Sequence, residues 1–320
     1  MNRTVKFSII TPSYGQLTWL RLCVASVADQ AAPSGTLQVE HIIQDAGTPG
    51  IEEFAREVGA DFHRDGTLVF SSKNPKSPSH LAIHCEKDAG MYDAVNRGFS
   101  KASGDVIAYL NCDEQYLPGA LPAVAERFRD DAAVQMLFAD AVVAREDGSF
   151  LCFRKAQVPF RDQLWFRMPV LSCATFMRRE VFSKTGVKLD ETKKVIGDVI
   201  WIQRAQNAGV RMGVLRRFTS LFTETEQNLG VGGAADREFL EFRRGMPGHV
   251  RRFLKLYELY HKTRSLFSGT RHHPPFAYEA FTKLSPAQRQ RFHVARPTAT
   301  WHGRTETDRQ VVKCDKERAR

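Results

Sequence analysis

Residues 86–98 read Glu-Lys-Asp-Ala-Gly-Met-Tyr-Asp-Ala-Val-Asn-Arg-Gly, and residues 104–114 follow as Gly-Asp-Val-Ile-Ala-Tyr-Leu-Asn-Cys-Asp-Glu. A glycine turn opens a helical pattern, and a short apolar run then ends in a polar, acidic cluster. The run 106–110 reads as a strand covered on both faces. Its carboxyl end therefore lies at a sheet edge, where open α/β sheets bind ligands. Asn111, Asp113 and Glu114 stand at that edge, a setting that suits a hard divalent cation bridging a diphosphate.

The surrounding pattern extends the same architecture. Residues 5–10 and 39–43 are apolar and β-branched. Between them Leu17, Leu20, Val24 and Val27 mark one helix face. Residues 51–58 read as a short helix, 68–70 as a third strand and 91–102 as a helix. Strands separated by helices of this length predict parallel βαβ units. After a helix at 117–128 the pattern becomes mixed, with short strands at 134–138, 141–143 and 150–153 and a hairpin turn at Asp147-Gly148. Helices are expected at 179–183 and 199–208, the latter capped by Gly209.

The net charge of +10 is unevenly placed: residues 237–320 hold 19 Lys and Arg against 8 Asp and Glu, so the first 236 residues carry −1. Within that tail, Val250, Phe253, Leu254, Tyr257, Tyr260 and Phe267 recur at helical spacing among Arg251, Arg252, Lys255, Lys262 and Arg264. Such a helix either packs its stripe on the main domain or lies on an anionic membrane surface. No DNA- or RNA-binding signature accompanies the charge, so nucleic acid is not an expected partner. The six cysteines are scattered without a Cys-x-x-Cys pair, which suits buried thiols in a reducing compartment. Residues 5–10 form too short an apolar run for a signal peptide, and no run reaches membrane-span length. The expectation is a cytoplasmic protein, or a peripheral one on the inner membrane face. Residues 271–275 and those from 304 onward read as linker and frayed terminus.

Several side chains have chemistry to offer. Thr11, Pro12 and Tyr14 occupy the turn after the first strand, where Tyr14 presents a ring face for stacking. Asp45, past the second strand, either accepts hydrogen bonds from a ligand or stabilises its own turn. Asp93 and Asn96, three apart, share a helix face, and Arg97 is spaced to pair with Asp93. Asp198 opens an apolar helix, where the residue pattern by itself reads as an acid near an N-cap.

The segments 11–15 (Thr-Pro-Ser-Tyr-Gly), 44–47 (Gln-Asp-Ala-Gly), 88–98 and 111–114 (Asn-Cys-Asp-Glu) together resemble the ordered motifs of family 2 glycosyltransferases. The resemblance covers roughly the first two thirds of the chain. It implies a GT-A-like, Rossmann-type mixed α/β sheet flanked by helices over residues 1–230, with 231–320 as a basic, largely helical extension. It further implies inverting transfer of a sugar from a nucleoside-diphosphate donor, first of all a UDP-sugar, to a hydroxyl of a glycan or lipid-linked acceptor in cell-surface polysaccharide synthesis. By the same resemblance, Thr11, Pro12, Tyr14, Asp45, Asp88, Asp93, Asn96 and Asn111 bind the donor, Asp113 holds Mg²⁺ or Mn²⁺, and Asp198 is the base. The family usually shows Asp-x-Asp where this chain has Asn111-Cys112-Asp113, and often a His where it has Ser172-Cys173. Two other classes stay open at this point: a sugar nucleotidyltransferase, although residues 11–16 lack the cation of its phosphate loop, and a non-catalytic nucleotide-sugar-binding module.

Overall fold

A computed structural model describes residues 4–30, 37–71, 79–225 and 233–301. In chain order it begins with β1 (Val5–Ser13), α1 (Leu17–Ala28), β2 (Leu37–Asp45), α2 (Ile51–Val58), β3 (Asp61–Arg64), β4 (Thr67–Phe70), β5 (Ser79–Cys85), α3 (Met91–Lys101) and β6 (Val106–Tyr109). It continues with β7 (Gln115–Tyr116), α4 (Ala120–Asp130), β8 (Met136–Arg145), β9 (Phe150–Arg154), β10 (Thr175–Arg178), α5 (Arg179–Thr185), α6 (Gly197–Asn207) and β11 (Met212–Glu224). Three helices, α7 (Gly233–Arg244), α8 (Gly248–Arg252) and α9 (Leu254–Phe267), precede a hairpin of β12 (Phe276–Thr282) and β13 (Ser285–Val294).

The main sheet has eleven strands in the order β4-β3-β5-β2-β1-β6-β10-β8-β11-β7, with β9 paired to β8. Strands β5, β2, β1 and β6 are parallel, so their carboxyl ends share one edge. Beyond β6 the sheet turns mixed, because β10 runs antiparallel to both β6 and β8. The expected mixed α/β fold is thus observed.

Alternation along the central strands shows why both faces are covered. Ile10, Ile107 and Tyr109 point into a core with Tyr92, Val95 and Phe99 of α3 and Trp201 of α6. Their neighbours Phe7, Ile9, Val106 and Ala108 point the other way, to Cys23 and Val27 of α1 and Leu121 and Val124 of α4. Period-two geometry feeds successive residues to opposite layers. Helix α3 lies so close to β1 that a Cβ at Gly98 would stand 2.4 Å from Ile10 Cγ2.

Several local expectations are corrected. Residues 68–70, expected as a third strand, do lie in a strand, but it is the fourth in chain order and the antiparallel edge strand β4, and an unexpected strand, β5, takes the place beside β2. The two short strands expected at 134–138 and 141–143 are one continuous strand, β8. The tail helix is broken at Phe253 into α8 and α9, and residues 276–294 form a hairpin rather than more helix. Its Tyr278, Ala280 and Val294 join Leu117, Val142 and Leu221 in a buried cluster. Gln115 pins it from the sheet side: the amide nitrogen donates to Phe281 O and Phe281 N–H donates back to Oε1, both at 2.9 Å.

Helix α9 has two apolar aspects. Tyr257 stacks on Phe160 at 6.1 Å, while Phe253, Leu256, Leu259, Leu266 and Phe267 are exposed, Phe267 by 88%. No helix among the described residues is long and apolar enough to cross a membrane. The five described cysteines are all free thiols.

Candidate functional site

A cleft of about 1540 Å³ opens over the carboxyl edge of the parallel strands. One end is built by the β1 turn, the start of α3 and the segment after β6. Pro12, Tyr14, Asp88, Asn111 and Asp113 line it there, and Asp198 faces them from α6. The other end is built by residues 153–172 and by the helices and loops of the tail.

The β6 edge carries the buried acids. Asn111 N–H donates to Glu114 Oε2 at 2.8 Å and Glu114 N–H donates to Asn111 O at 3.0 Å, which closes a tight turn and holds Asp113 at its apex. Burial pushes both the Asp113 and the Glu114 carboxyls upward, and the charge of Asp113 adds to the effect on Glu114. Asn111 Oδ1 and Glu114 Oε1 are buried without a hydrogen-bond partner. Buried oxygens left unsatisfied beside a carboxylate are the chemistry that Mg²⁺ or Mn²⁺ would use, with diphosphate oxygens completing the shell. Among the described residues no three His, Cys, Asp or Glu side chains are grouped to hold a metal by themselves. The donor set therefore fits a cation shared with a ligand rather than an all-protein cage.

Asp198 sits in the first turn of α6, but it is not the cap: that position is Ile196. Its Oδ1 accepts from Val199 N–H at 2.8 Å, with the Tyr92 hydroxyl 3.5 Å away. Tyr92 donates more closely to Val195 O, at 2.8 Å, and so ties α3 to the approach of α6. The contact is tight: a Cβ at Gly197 would stand 2.5 Å from the Tyr92 ring. From the tail, Glu238 of α7 accepts from the N–H groups of Lys194, Val195 and Ile196 at 2.7, 2.8 and 3.3 Å. Nothing in the local sequence marked Glu238 for this role, because its partners are backbone groups over forty residues away.

Tyr14, 72% exposed, leaves its ring open for stacking. Asp88 accepts from Gly90 N–H at 3.0 Å, and Gly90, at φ +135°, makes the turn into α3. Burial raises the Asp88 carboxyl above its ordinary range.

Four of the expected donor residues are not brought to the cleft wall. Thr11 is fully buried and bonded to His41 Nε2 at 2.9 Å. Asp45 is equally buried; it accepts from Gly47 N–H at 2.9 Å, Thr48 N–H at 2.7 Å and Thr48 Oγ1 at 2.6 Å, the alternative of a residue stabilising its own turn. Asp93 pairs with Arg97 at 2.8 Å and accepts from Ala89 N–H at 2.8 Å; burial opposes ionisation, yet these partners hold its carboxyl low. Asn96 turns inward, donating to Leu189 O at 3.0 Å and Glu191 Oε1 at 2.7 Å. All four build the framework on which the cleft rests.

Comparison with known proteins gives a consistent picture. The sequence profile described as "Glycosyl transferase family 2" matches residues 8–186. The chain is 26% identical over 181 residues to a PGL/p-HBAD biosynthesis glycosyltransferase of Mycobacterium bovis, an alignment covering 56% of this chain and 62% of that protein. It is 25% identical over 133 residues to an uncharacterized glycosyltransferase of Nostoc, covering 42% of this chain and 36% of the relative. The chain thus spans less than two thirds of the length of these relatives. Among solved structures, S. aureus TarS 1–349 in complex with UDP-GlcNAc superposes with a TM-score of 0.54 at 15% identity, over 74% of this chain and 64% of that one. The likeness extends to the fold.

Proposed function

Because the chain belongs to glycosyltransferase family 2, we propose that it transfers a sugar from a nucleoside-diphosphate donor to a hydroxyl acceptor with inversion at the anomeric carbon. The observation that carries this reading is the opposition of Asp198 to the Asn111–Asp113–Glu114 edge across one cleft. Tyr14 and Pro12 receive the base, and Asp88 and Asn111 the ribose and diphosphate side. Asp113, with Asn111 and Glu114 behind it, would hold Mg²⁺ or Mn²⁺. When bound, the cation supplies charge neutralisation for the departing diphosphate. The acceptor oxygen attacks the anomeric carbon from the face opposite the leaving group. As the new glycosidic bond forms, the bond to the diphosphate oxygen breaks, and the hydroxyl proton passes to Asp198. No covalent intermediate on the protein is required.

A UDP-sugar is the first donor to test, and a lipid-linked saccharide the first acceptor class. Support for the latter comes from α9, whose exposed Leu256, Leu259, Leu266 and Phe267 are accompanied by exposed Arg251, Arg252, Lys255 and Lys262. An apolar face edged with cations suits an anionic bilayer, and a protein docked by it would hold the cleft near membrane-borne substrates. The decisive experiment is product formation from a panel of UDP, GDP, TDP and CMP sugars with manganese. Donor hydrolysis or transfer with one of them supports the reading. Binding without turnover across the panel and with membrane-extract acceptors would leave a sugar-nucleotide-binding module instead.

A further inference from the structure

The end of the cleft away from Asp113 is strongly cationic. Arg154, Lys155, Arg167, Arg243 and Arg271 line it, together with His261 and two acids, Asp236 and Glu258. Lys155 is committed to the framework: it donates to Gly269 O at 3.2 Å and His272 O at 2.6 Å, fixing the chain on both sides of Arg271. Gln163 holds His261 by its Nδ1 at 3.0 Å. Among the described residues, neither Arg167 nor Arg271 takes part in an ion pair, and both side chains are exposed. The imidazole registers the field of this group: burial, and after it the charges of Arg167, Arg271, Arg154 and Arg264, lower it to about 4. Like charges gathered around one ring repel unless an anion joins them. A guanidinium fork matches phosphate oxygens in geometry as well as charge.

We propose that Arg167 and Arg271, with Arg154 beside His261, form a subsite for a phosphate ester carried by the acceptor. The cleft then has two charge-selective ends, an acidic one that takes a cation with the donor and a basic one that takes the acceptor's anion. The inference rests on the acceptor entering this cleft, as the transfer reading requires, but its test is independent of turnover. The full chain, with the donor end filled by UDP and manganese, is titrated with decyl phosphate below its micellar range, with glycerol phosphate and with decanol. Saturable binding of decyl phosphate is expected, weakened at least tenfold by the double substitution Arg167→Ala/Arg271→Ala and more mildly by Arg271→Gln, with UDP affinity unchanged. Glycerol phosphate competing at similar affinity supports a phosphate within a polar acceptor; decyl phosphate alone binding supports a lipid phosphate. Decanol binding as tightly as decyl phosphate, or unchanged affinity in the double variant, overturns the subsite. Loss of UDP affinity in a variant that keeps the wild-type unfolding midpoint would assign the arginines to the donor diphosphate and overturn it equally. A protein that binds decyl phosphate but transfers no sugar refutes the transfer reading and leaves the subsite standing.

Discussion

Asp198 and Asp113 lie in one cleft yet are asked for different things, and single substitutions separate them. Asp198→Asn keeps the shape and the contact to Val199 N–H while removing the base. Turnover is expected to fall by about 10²–10⁴-fold, with donor affinity near that of the wild type. Asp113→Ala is expected to lose manganese-dependent UDP binding and turnover together, because its carboxylate serves the cation rather than the proton. Calorimetric titration of donor and a transfer assay on the same preparations read both. Normal turnover in Asp198→Asn would move the base elsewhere, and unchanged metal-dependent affinity in Asp113→Ala would remove the metal assignment. The sequence pointed to these two residues for different reasons. Asp113 follows a buried strand, so chain order alone puts it at the sheet edge. Asp198 needed the family resemblance, since an acid opening a helix is also what a cap looks like. Asp93 and Asn96 were legible as a shared helix face, but spacing does not say which way that face turns. Here Met91, Tyr92 and Ala94 of α3 line the cleft, and Asn96 is spent on Leu189 and Glu191.

At the level of elements, the position of α6 is set by two contacts that come from far along the chain. The absent side chain of Gly197 lets the helix start against the Tyr92 ring, and the Glu238 carboxylate gathers the three N–H groups before it. Gly197→Ala forces a methyl into that ring and is expected to cost about 1–3 kcal/mol of stability, read by urea unfolding, and to reduce kcat by displacing Asp198. Glu238→Ala leaves the N–H groups of residues 194–196 without their acceptor. We expect kcat to fall about tenfold or more with the donor KM little changed; equal changes in both would make Glu238 a purely structural support. Strands β1, β2 and β6 were legible because buried parallel strands are written in continuous apolar residues. Strand β5 was not: Ser-His-Leu-Ala-Ile-His-Cys carries two histidines, and one of them, His84, stacks on His63 of the neighbouring strand at 4.4 Å. The β12–β13 hairpin has readable alternation in Phe276, Tyr278 and Ala280, but the helical pattern at 250–267, extended over the whole tail, hid it.

For the molecule as a whole, buried histidines shape the response to acid. His41 is held neutral by burial, its pKa lowered from 6.5 to about 3. The unfolded chain takes up a proton there below 6.5 and the folded one does not, so stability falls as pH drops through the window from 6.5 to about 3. The slope from this one group is about 1.4 kcal/mol per pH unit. Asp113 and Glu114, whose carboxyls burial raises, act in the opposite sense, since protonation relieves the cost of keeping their charge out of water. Urea unfolding at pH 7 and pH 5 is expected to show a smaller loss in His41→Gln than in the wild type. An identical loss would show that His41 is not the group responsible. The charge asymmetry of the chain also has a test at this scale. Sedimentation with anionic vesicles is expected at low salt, weakened by Leu256→Glu/Leu259→Glu and by high salt; no sedimentation at low salt would reduce the outer face of α9 to bare surface.

The hairpin that Gln115 grips has a meaning for how such a chain can change over time. Tyr278, Ala280 and Val294 close the same cluster as Leu117, Val142 and Leu221, and Arg289 reaches back to Asp29 of the turn after α1 at 2.6 Å. An exchange of everything after residue 230 for another ending would strip the cover from the part of the sheet around Leu117, Val142 and Leu221. A replacement ending would have to rebuild that cover, so the proposed acceptor end of the cleft is more readily altered by point changes within the tail than by swapping the tail as a cassette.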